Sequence, residues 1–218
     1  MERLPLSLWI KKETQRKIAQ AQDIIVEEVY AIFEKAILHG GTAIWRCYAG
    51  KRFSEDIDFY FPKNKEKIDS IFQSLTNKGF QVLKKKISET SVYSELLFER
   101  TSVRLEATFL KKEAIITDYE TLNGRIIAVY SLTPEMFVIE KAHAYLKRFK
   151  IRDLWDIFFL LHLIKNNHIV KKELEHLIKN YKNPIDEADL KIIIFEGIVP
   201  SSQEMFRYIT QKWENEYI

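Results

Sequence analysis

Two aspartates one residue apart, Asp56 and Asp58, sit inside an otherwise apolar run of Ile57, Phe59, Tyr60 and Phe61. β-branched and aromatic residues alternating with polar ones specify a strand. Residues i and i+2 of a strand share a face, with Cα atoms roughly 6–7 Å apart. The pattern therefore commits Ile57 and Phe59 to a core and leaves both carboxylates on a common opening. Hard divalent cations such as Mg²⁺ take oxygen ligands, commonly one or two carboxylates together with substrate phosphates. Acids at this spacing can hold one ion or bridge two. Taken alone, the pair reads equally as the wet face of an edge strand.

About fifteen residues upstream, Gly40-Gly41-Thr42 follows the apolar Ile37-Leu38 and opens a helix-like segment, Ala43 to Tyr48. Paired glycines let backbone N–H groups approach an anion. Thr42 is a suitable N-cap, and the N-terminus of a helix favours phosphate. A phosphate cradle, a short helix and a strand bearing two metal-binding acids form a layout for phosphoryl transfer. Such a layout would take a phosphate-bearing ligand together with one Mg²⁺ ion or two.

Gly40-Gly41-Thr42-Ala43-Ile44 followed by Arg52-Phe53-Ser54-Glu55-Asp56-Ile57-Asp58-Phe59 resembles the signature of the AbiEii/AbiGii-type nucleotidyltransferases. These belong to the polymerase-β-like nucleotidyltransferase superfamily and include toxins of toxin–antitoxin systems. The resemblance is specific in these two motifs and continues weakly to about Asp156. It implies an α/β (α+β) nucleotidyltransferase fold with a mixed sheet flanked by helices, and the helix start at Thr133-Pro134 sets the boundary between that core, residues 1–132, and a helical C-terminal part over 133–218. It also implies that Gly40, Gly41, Thr42, Arg52 and Ser54 hold the NTP, and that Asp56 and Asp58 ligate Mg²⁺. The superfamily's third carboxylate occupies a neighbouring strand, which makes Glu106 its match. A plainer role for Glu106, as partner to Arg104 or a lysine, stays open. Many superfamily members carry Gly-Ser where this chain has Gly-Gly-Thr, so the serine hydroxyl that would contact phosphate is missing. Motif resemblance alone makes Ser54 a possible modification site.

The same resemblance includes a lysine, matched by Lys141, and an Arg-Asp-x-x-Asp pattern, seen as Arg152-Asp153-Leu154-Trp155-Asp156. It implies that Lys141 meets nucleotide phosphates with Asp153 near it. An ion pair between helices explains the same residues. The basic cluster Lys147, Arg148, Lys150 and Arg152 reads either as a solvated loop or as a clamp on phosphates.

The rest of the chain is scaffold. Ile18, Ala21, Ile25, Val29, Ile32 and Phe33 recur at threes and fours, predicting a helix over Glu13 to Ala36. Asn64 caps a helix running to about Lys78. Phe80–Ser88, Ser91–Glu99 and Ser102–Leu110 alternate as strands, and Asn123-Gly124 marks a hairpin between Ile115–Thr121 and Arg125–Tyr130. Thr133-Pro134 starts the first C-terminal helix, and Ile157 to Ile218 reads as mostly helical. The histidines show no ligand spacing. Trp45 and Trp155 read as core.

With 218 residues, 46% hydrophobic and 30% charged, the composition is globular. A net charge of +3 is too small to identify a nucleic-acid binder by itself. The single cysteine, Cys47, excludes an internal disulfide and fits a reducing compartment. No apolar run approaches eighteen residues and no signal-peptide pattern opens the chain, so no membrane partner and a cytoplasmic location are expected. The expected activity is Mg²⁺-dependent transfer of a nucleotide from NTP to RNA, a tRNA 3′ end among the candidates, by a toxin with a cognate antitoxin. A small-molecule or protein hydroxyl as acceptor, and a non-catalytic binding module, are the alternatives.

Overall fold

The computed structural model describes residues 5–214. The chain divides into two compact units, Met1–Ser131 and Leu132–Ile218.

The first unit is built on one seven-stranded mixed sheet. Its strands are β1 (Ile37–His39), β2 (Asp56–Tyr60), β3 (Gln81–Ile87), β4 (Ser91–Phe98), β5 (Thr101–Thr108), β6 (Ile115–Glu120) and β7 (Ile126–Ser131). The spatial order is β3-β4-β5-β2-β1-β7-β6. β2 runs antiparallel to β1 and parallel to β5, and β1 runs parallel to β7. The acid-bearing strand is therefore internal rather than at an edge, which removes the wet-edge explanation of its aspartates.

Alternation on β2, β4 and β5 separates two faces. Ile57, Phe59, Val92, Leu96, Val103 and Leu105 are all 0–2% exposed. Against this face pack helix α1 (Glu13–Ile32) and helix α3 (Lys65–Asn77), with Tyr30 edge-on to Phe59 and Phe33 stacked on Phe61. The other face carries Asp56, Asp58, Tyr93, Glu95, Arg104 and Glu106, none of them fully buried. α1 is four residues shorter than its periodicity predicts. Phe33 leaves the helix at its C-cap and enters the core against Phe61 instead of continuing the stripe. Helix α2 (Gly40–Tyr48) joins β1 to the loop before β2.

The second unit is helical: α4 (Pro134–Arg148), α5 (Ile151–Leu160), α6 (Lys171–Lys179), α7 (Leu190–Ile193) and α8 (Ser202–Glu214). Thr133 caps α4 by accepting from the Met136 N–H at 3.3 Å, with Pro134 at the first helical position. α5 packs on α8 and α4 on α6, and Tyr181 stacks on Phe206 with ring centroids 3.7 Å apart. Helix is less continuous here than the sequence predicts. 3₁₀ turns at Asn167–Ile169 and Glu187–Asp189 interrupt it, as does the stretch before Pro200, where proline disfavours helix at the residue before it. The end of the predicted helical stretch, residues 215–218, lies outside the described residues. Among the described residues no helix is long and apolar enough to cross a membrane.

Candidate active site

The register of the sheet brings the acids together. Parallel pairing sets Asp58 opposite Glu106 and Asp56 opposite Arg104, while antiparallel pairing sets His39 opposite Asp58. Directly opposed residues share a face. Asp56, Asp58 and Glu106 therefore occupy one patch of the open face, with Glu106 one strand from Asp58. Arg104 lies in the same patch and makes two parallel contacts to Asp56, Nε to Oδ1 at 2.6 Å and Nη2 to Oδ2 at 2.7 Å. The sequence left Arg104 as a possible partner of Glu106, whereas the fold pairs it with Asp56. Partial burial works against the guanidinium's charge, but the carboxylates of Asp56 and then Glu106 outweigh it and hold its pKa above the ordinary arginine value.

The backbone around Gly40 and Gly41 is shaped by the same carboxylate. Gly40 has φ +72°, and a Cβ there would sit 2.9 Å from the Asp58 Cγ and closer still to Oδ2. A Cβ on Gly41 would come within 2.6 Å of both the Arg52 Nη2 and the Ser54 Oγ. The two glycines thus admit the Asp58 carboxylate on one side and the Arg52–Ser54 pair on the other. α2 begins at Gly40, two residues earlier than the N-cap assigned to Thr42, and its cap is His39. Thr42 is 0% exposed. Its hydroxyl donates to the Asp56 carbonyl and accepts from Gln22 Nε2 at 3.3 Å. That hydroxyl ties the helix to the acid strand, and Gly40, Gly41 and Thr42 form the first turn of α2, where a helix has no internal partner for its backbone N–H groups. Arg52 is 3% exposed and its Nη1 donates to the Phe53 carbonyl at 3.1 Å.

Gln22 had no place in the sequence reading. It is fully buried on α1, and its Nε2 also donates to the Ser54 carbonyl at 2.9 Å. A signal existed, since Gln22 is a polar residue four after Ile18 and four before Val26 in the apolar stripe. His39 and Tyr60 form a second unforeseen pair, stacked at 3.8 Å with an interplanar angle of 3°.

In the second unit Lys141 and Asp153 form a buried charge network. Lys141 Nζ lies 2.7 Å from the Asp156 Oδ2 and 3.6 Å from the Asp153 Oδ1. Asp153 is 0% exposed and accepts two contacts from Arg148, at 2.6 and 2.7 Å. The helix–helix ion pair that the sequence left open is what these residues make. Two members of the basic cluster are also engaged locally, Arg148 with Asp153 and Lys150 with Asp186 at 3.4 Å. Cys47 is half-buried, and burial pushes its thiol up, away from reactive thiolate.

The donor set suits a hard cation: three carboxylates, with no thiolate among them. It is not assembled as a ready cage. Among the described residues no group of three His, Cys, Asp or Glu side chains is placed to hold an ion, and both Asp56 oxygens face Arg104. Divalent binding must compete with that guanidinium. Arg104→Gln is therefore expected to raise Mn²⁺ affinity roughly fivefold, equivalent to about 1 kcal/mol for a half-exposed pair. Electron paramagnetic resonance titration of the purified protein reads this directly. Unchanged or weaker Mn²⁺ binding would show that Arg104 does not compete with the ion.

The family model described as nucleotidyl transferase AbiEii toxin, type IV toxin–antitoxin system, matches residues 26–208. The chain belongs to the AbiEii family. It is a nucleotidyltransferase of the kind that acts as the toxin in type IV toxin–antitoxin systems. The matched span includes both units, so the family covers the glycines, the acids and the Lys141–Asp153 network alike. Among solved structures, JHP933 from Helicobacter pylori is 20% identical over 94% of this chain and 96% of its own, with a TM-score of 0.62. MenT4, a nucleotidyltransferase toxin from Mycobacterium tuberculosis, is 14% identical over 90% of this chain and 81% of its own, with a TM-score of 0.61. At these identities the likeness shows the nucleotidyltransferase fold. No curated protein matches the sequence.

Proposed function

We propose that this AbiEii protein transfers a nucleotide from an NTP to an RNA hydroxyl in a Mg²⁺-dependent reaction, as a toxin countered by a cognate antitoxin. The observation that carries the reading is the register Asp58↔Glu106 beside Asp56, directly against Gly40 at the start of α2. Asp56, Asp58 and Glu106 would hold the metal, which when bound neutralises phosphate charge and positions the reacting oxygens. Backbone N–H groups of Gly40, Gly41 and Thr42, with Arg52 and Ser54, receive the triphosphate tail. The acceptor oxygen bonds to the α-phosphorus as the bond to the β-phosphate oxygen breaks. Pyrophosphate leaves, and the hydroxyl proton passes to Glu106. Lys141 and Asp153 serve as positioning residues that hold α4 against α5.

RNA is favoured as acceptor by the open sheet face. Beyond Glu106 the register continues through Tyr93 to Lys86, and beyond Arg104 through Glu95 to Lys84. Lys84 Nζ lies 5.2 Å from the Tyr93 ring centroid. An aromatic flanked by lysines on an exposed sheet suits a single strand, whose bases stack and whose phosphates need cations.

Purified protein with Mg²⁺, each labelled NTP in turn and total RNA tests this. A labelled RNA band is expected, and Asp56→Asn and Asp58→Asn should each lower it at least 10²-fold while the melting curve persists. Undiminished labelling in well-folded variants would sink the assignment. Label appearing only on protein or small molecules would move the acceptor away from RNA.

A further inference from the structure

The sheet ends in a cavity that the reaction as described does not use. It encloses about 720 Å³ at the C-terminal ends of β2 and β5, within the 300–1,000 Å³ range of small-molecule sites. Tyr60, Phe61, Phe109 and Tyr130 supply aromatic walls, and Lys35, Lys63, Lys111 and Lys112 surround them. One carboxylate, Glu89, offsets this charge, and it is bound to Lys63 at 2.6 Å. Lys112 Nζ stands 5.6 Å from the Tyr60 ring centroid. An aromatic body carrying negative charge fits such a lining. A neutral apolar ligand would leave the lysines without purpose, and a bare inorganic anion would leave the aromatic walls without one.

The cavity also has a definite position relative to the acids. Tyr60 lies two residues beyond Asp58 on the same strand face, roughly 7 Å along it. His39, opposite Asp58 in the register, stacks on Tyr60 and so connects the two places. Gly41, Arg52 and Ser54 lie on the other side of Asp58, towards Asp56, where Thr42 bonds the Asp56 carbonyl. The carboxylates thus stand between a phosphate cradle and an aromatic, lysine-lined cavity. A transferase needs two substrates delivered to its acids from different directions; the cradle receives one, and the open sheet face that suits the acceptor strand leaves its last nucleotide still to be seated.

We infer that this cavity receives the terminal nucleotide of the acceptor strand, its base against the aromatic walls and its phosphates among the lysines, with the terminal hydroxyl directed at Asp58 and Glu106. The inference rests on the nucleotidyl-transfer reading and names where its second substrate is held.

The test uses the full chain without turnover. A short RNA ending in a 3′-hydroxyl, adenosine 5′-monophosphate and inorganic phosphate are each titrated by calorimetry. Two variants are compared with the parent protein: Lys111→Ala/Lys112→Ala, which removes charge, and Leu110→Trp, which fills the cavity from a half-exposed position (50%). RNA affinity should fall at least tenfold in both, with the melting temperature and NTP affinity held. The monophosphate should compete with RNA, and inorganic phosphate should not. RNA affinity unchanged in both variants would overturn the assignment. Inorganic phosphate competing as well as the monophosphate would reduce the cavity to a plain anion site and overturn it too. Monophosphate binding without RNA binding would show a free-nucleotide site and reject the acceptor strand. If the parent protein transfers label to RNA while these variants bind RNA normally, only the cavity assignment fails. If it transfers no label at all, the catalytic reading fails first.

Discussion

Gly40→Ala is expected to cut nucleotide transfer by at least about 10² while leaving most of the molecule folded. Two effects combine at that backbone position. The φ of +72° is in the left-handed region, where a Cβ costs roughly 1–2 kcal/mol. The new methyl would also overlap the Asp58 carboxylate, which lies closer to Gly40 than any Cβ tolerates. Either the carboxylate swings away from Glu106 or α2 shifts from its place after β1, and a misplacement near 1 Å at a reacting centre costs on the order of 10²-fold in rate. Transfer should fall by about 10² to 10³, and Mn²⁺ affinity should fall with it, against a stability loss of only about 1–3 kcal/mol. Rate assays, metal titration and thermal melts on one preparation separate these. Near-normal transfer by the alanine variant would mean that Asp58 can move without consequence, and its place in the site would be lost.

Asp153→Ala should instead damage the second unit's stability. Its carboxylate is 0% exposed and is shared between Arg148 and Lys141, whose side chain is only 9% exposed. Removing one member of a buried ion network leaves charge without compensation and costs about 3–5 kcal/mol. Lys141 keeps Asp156 at 2.7 Å, which moderates the loss, while Arg148, 41% exposed, can turn to water. For a chain of this size the melting temperature should fall by about 6–20 °C. Arg148→Ala, which removes the wetter partner, should cost less. Calorimetric melts of both variants decide the matter. An Asp153→Ala protein with normal stability and no transfer would favour the direct nucleotide role that the family resemblance implies for this pair.

Much of the architecture was legible because it follows from local rules. The Asp-x-Asp alternation, the Asn64 and Thr133 caps and the Asn123-Gly124 turn each depend on residues within a few positions of one another, and the structure contains all of them. Local reasoning failed where packing overrides periodicity. α1 stops at Ile32 because Phe33 gains more by stacking on Phe61, a residue twenty-eight positions away, than by continuing the helix. Thr42 looked like a helix cap because a hydroxyl near paired glycines usually is one. Its hydroxyl goes to Asp56 instead, a contact visible only once β2 lies beside α2.

A strand with two acids on one face, glycines ahead of it at the start of a helix, and a helical segment after the sheet could all be read from the residues alone. These are properties of side-chain period and backbone freedom, which a chain carries before it folds. Which residues those acids meet depends on how the strands pair. Parallel pairing of β2 with β5 puts Glu106 beside Asp58 and Arg104 on Asp56, and a slip of one residue would have turned Glu106 to the opposite face. Likewise, the lysine-lined cavity joins residues as far apart as Lys35 and Tyr130. Such contacts depend on strand order and helix packing, which no local pattern encodes.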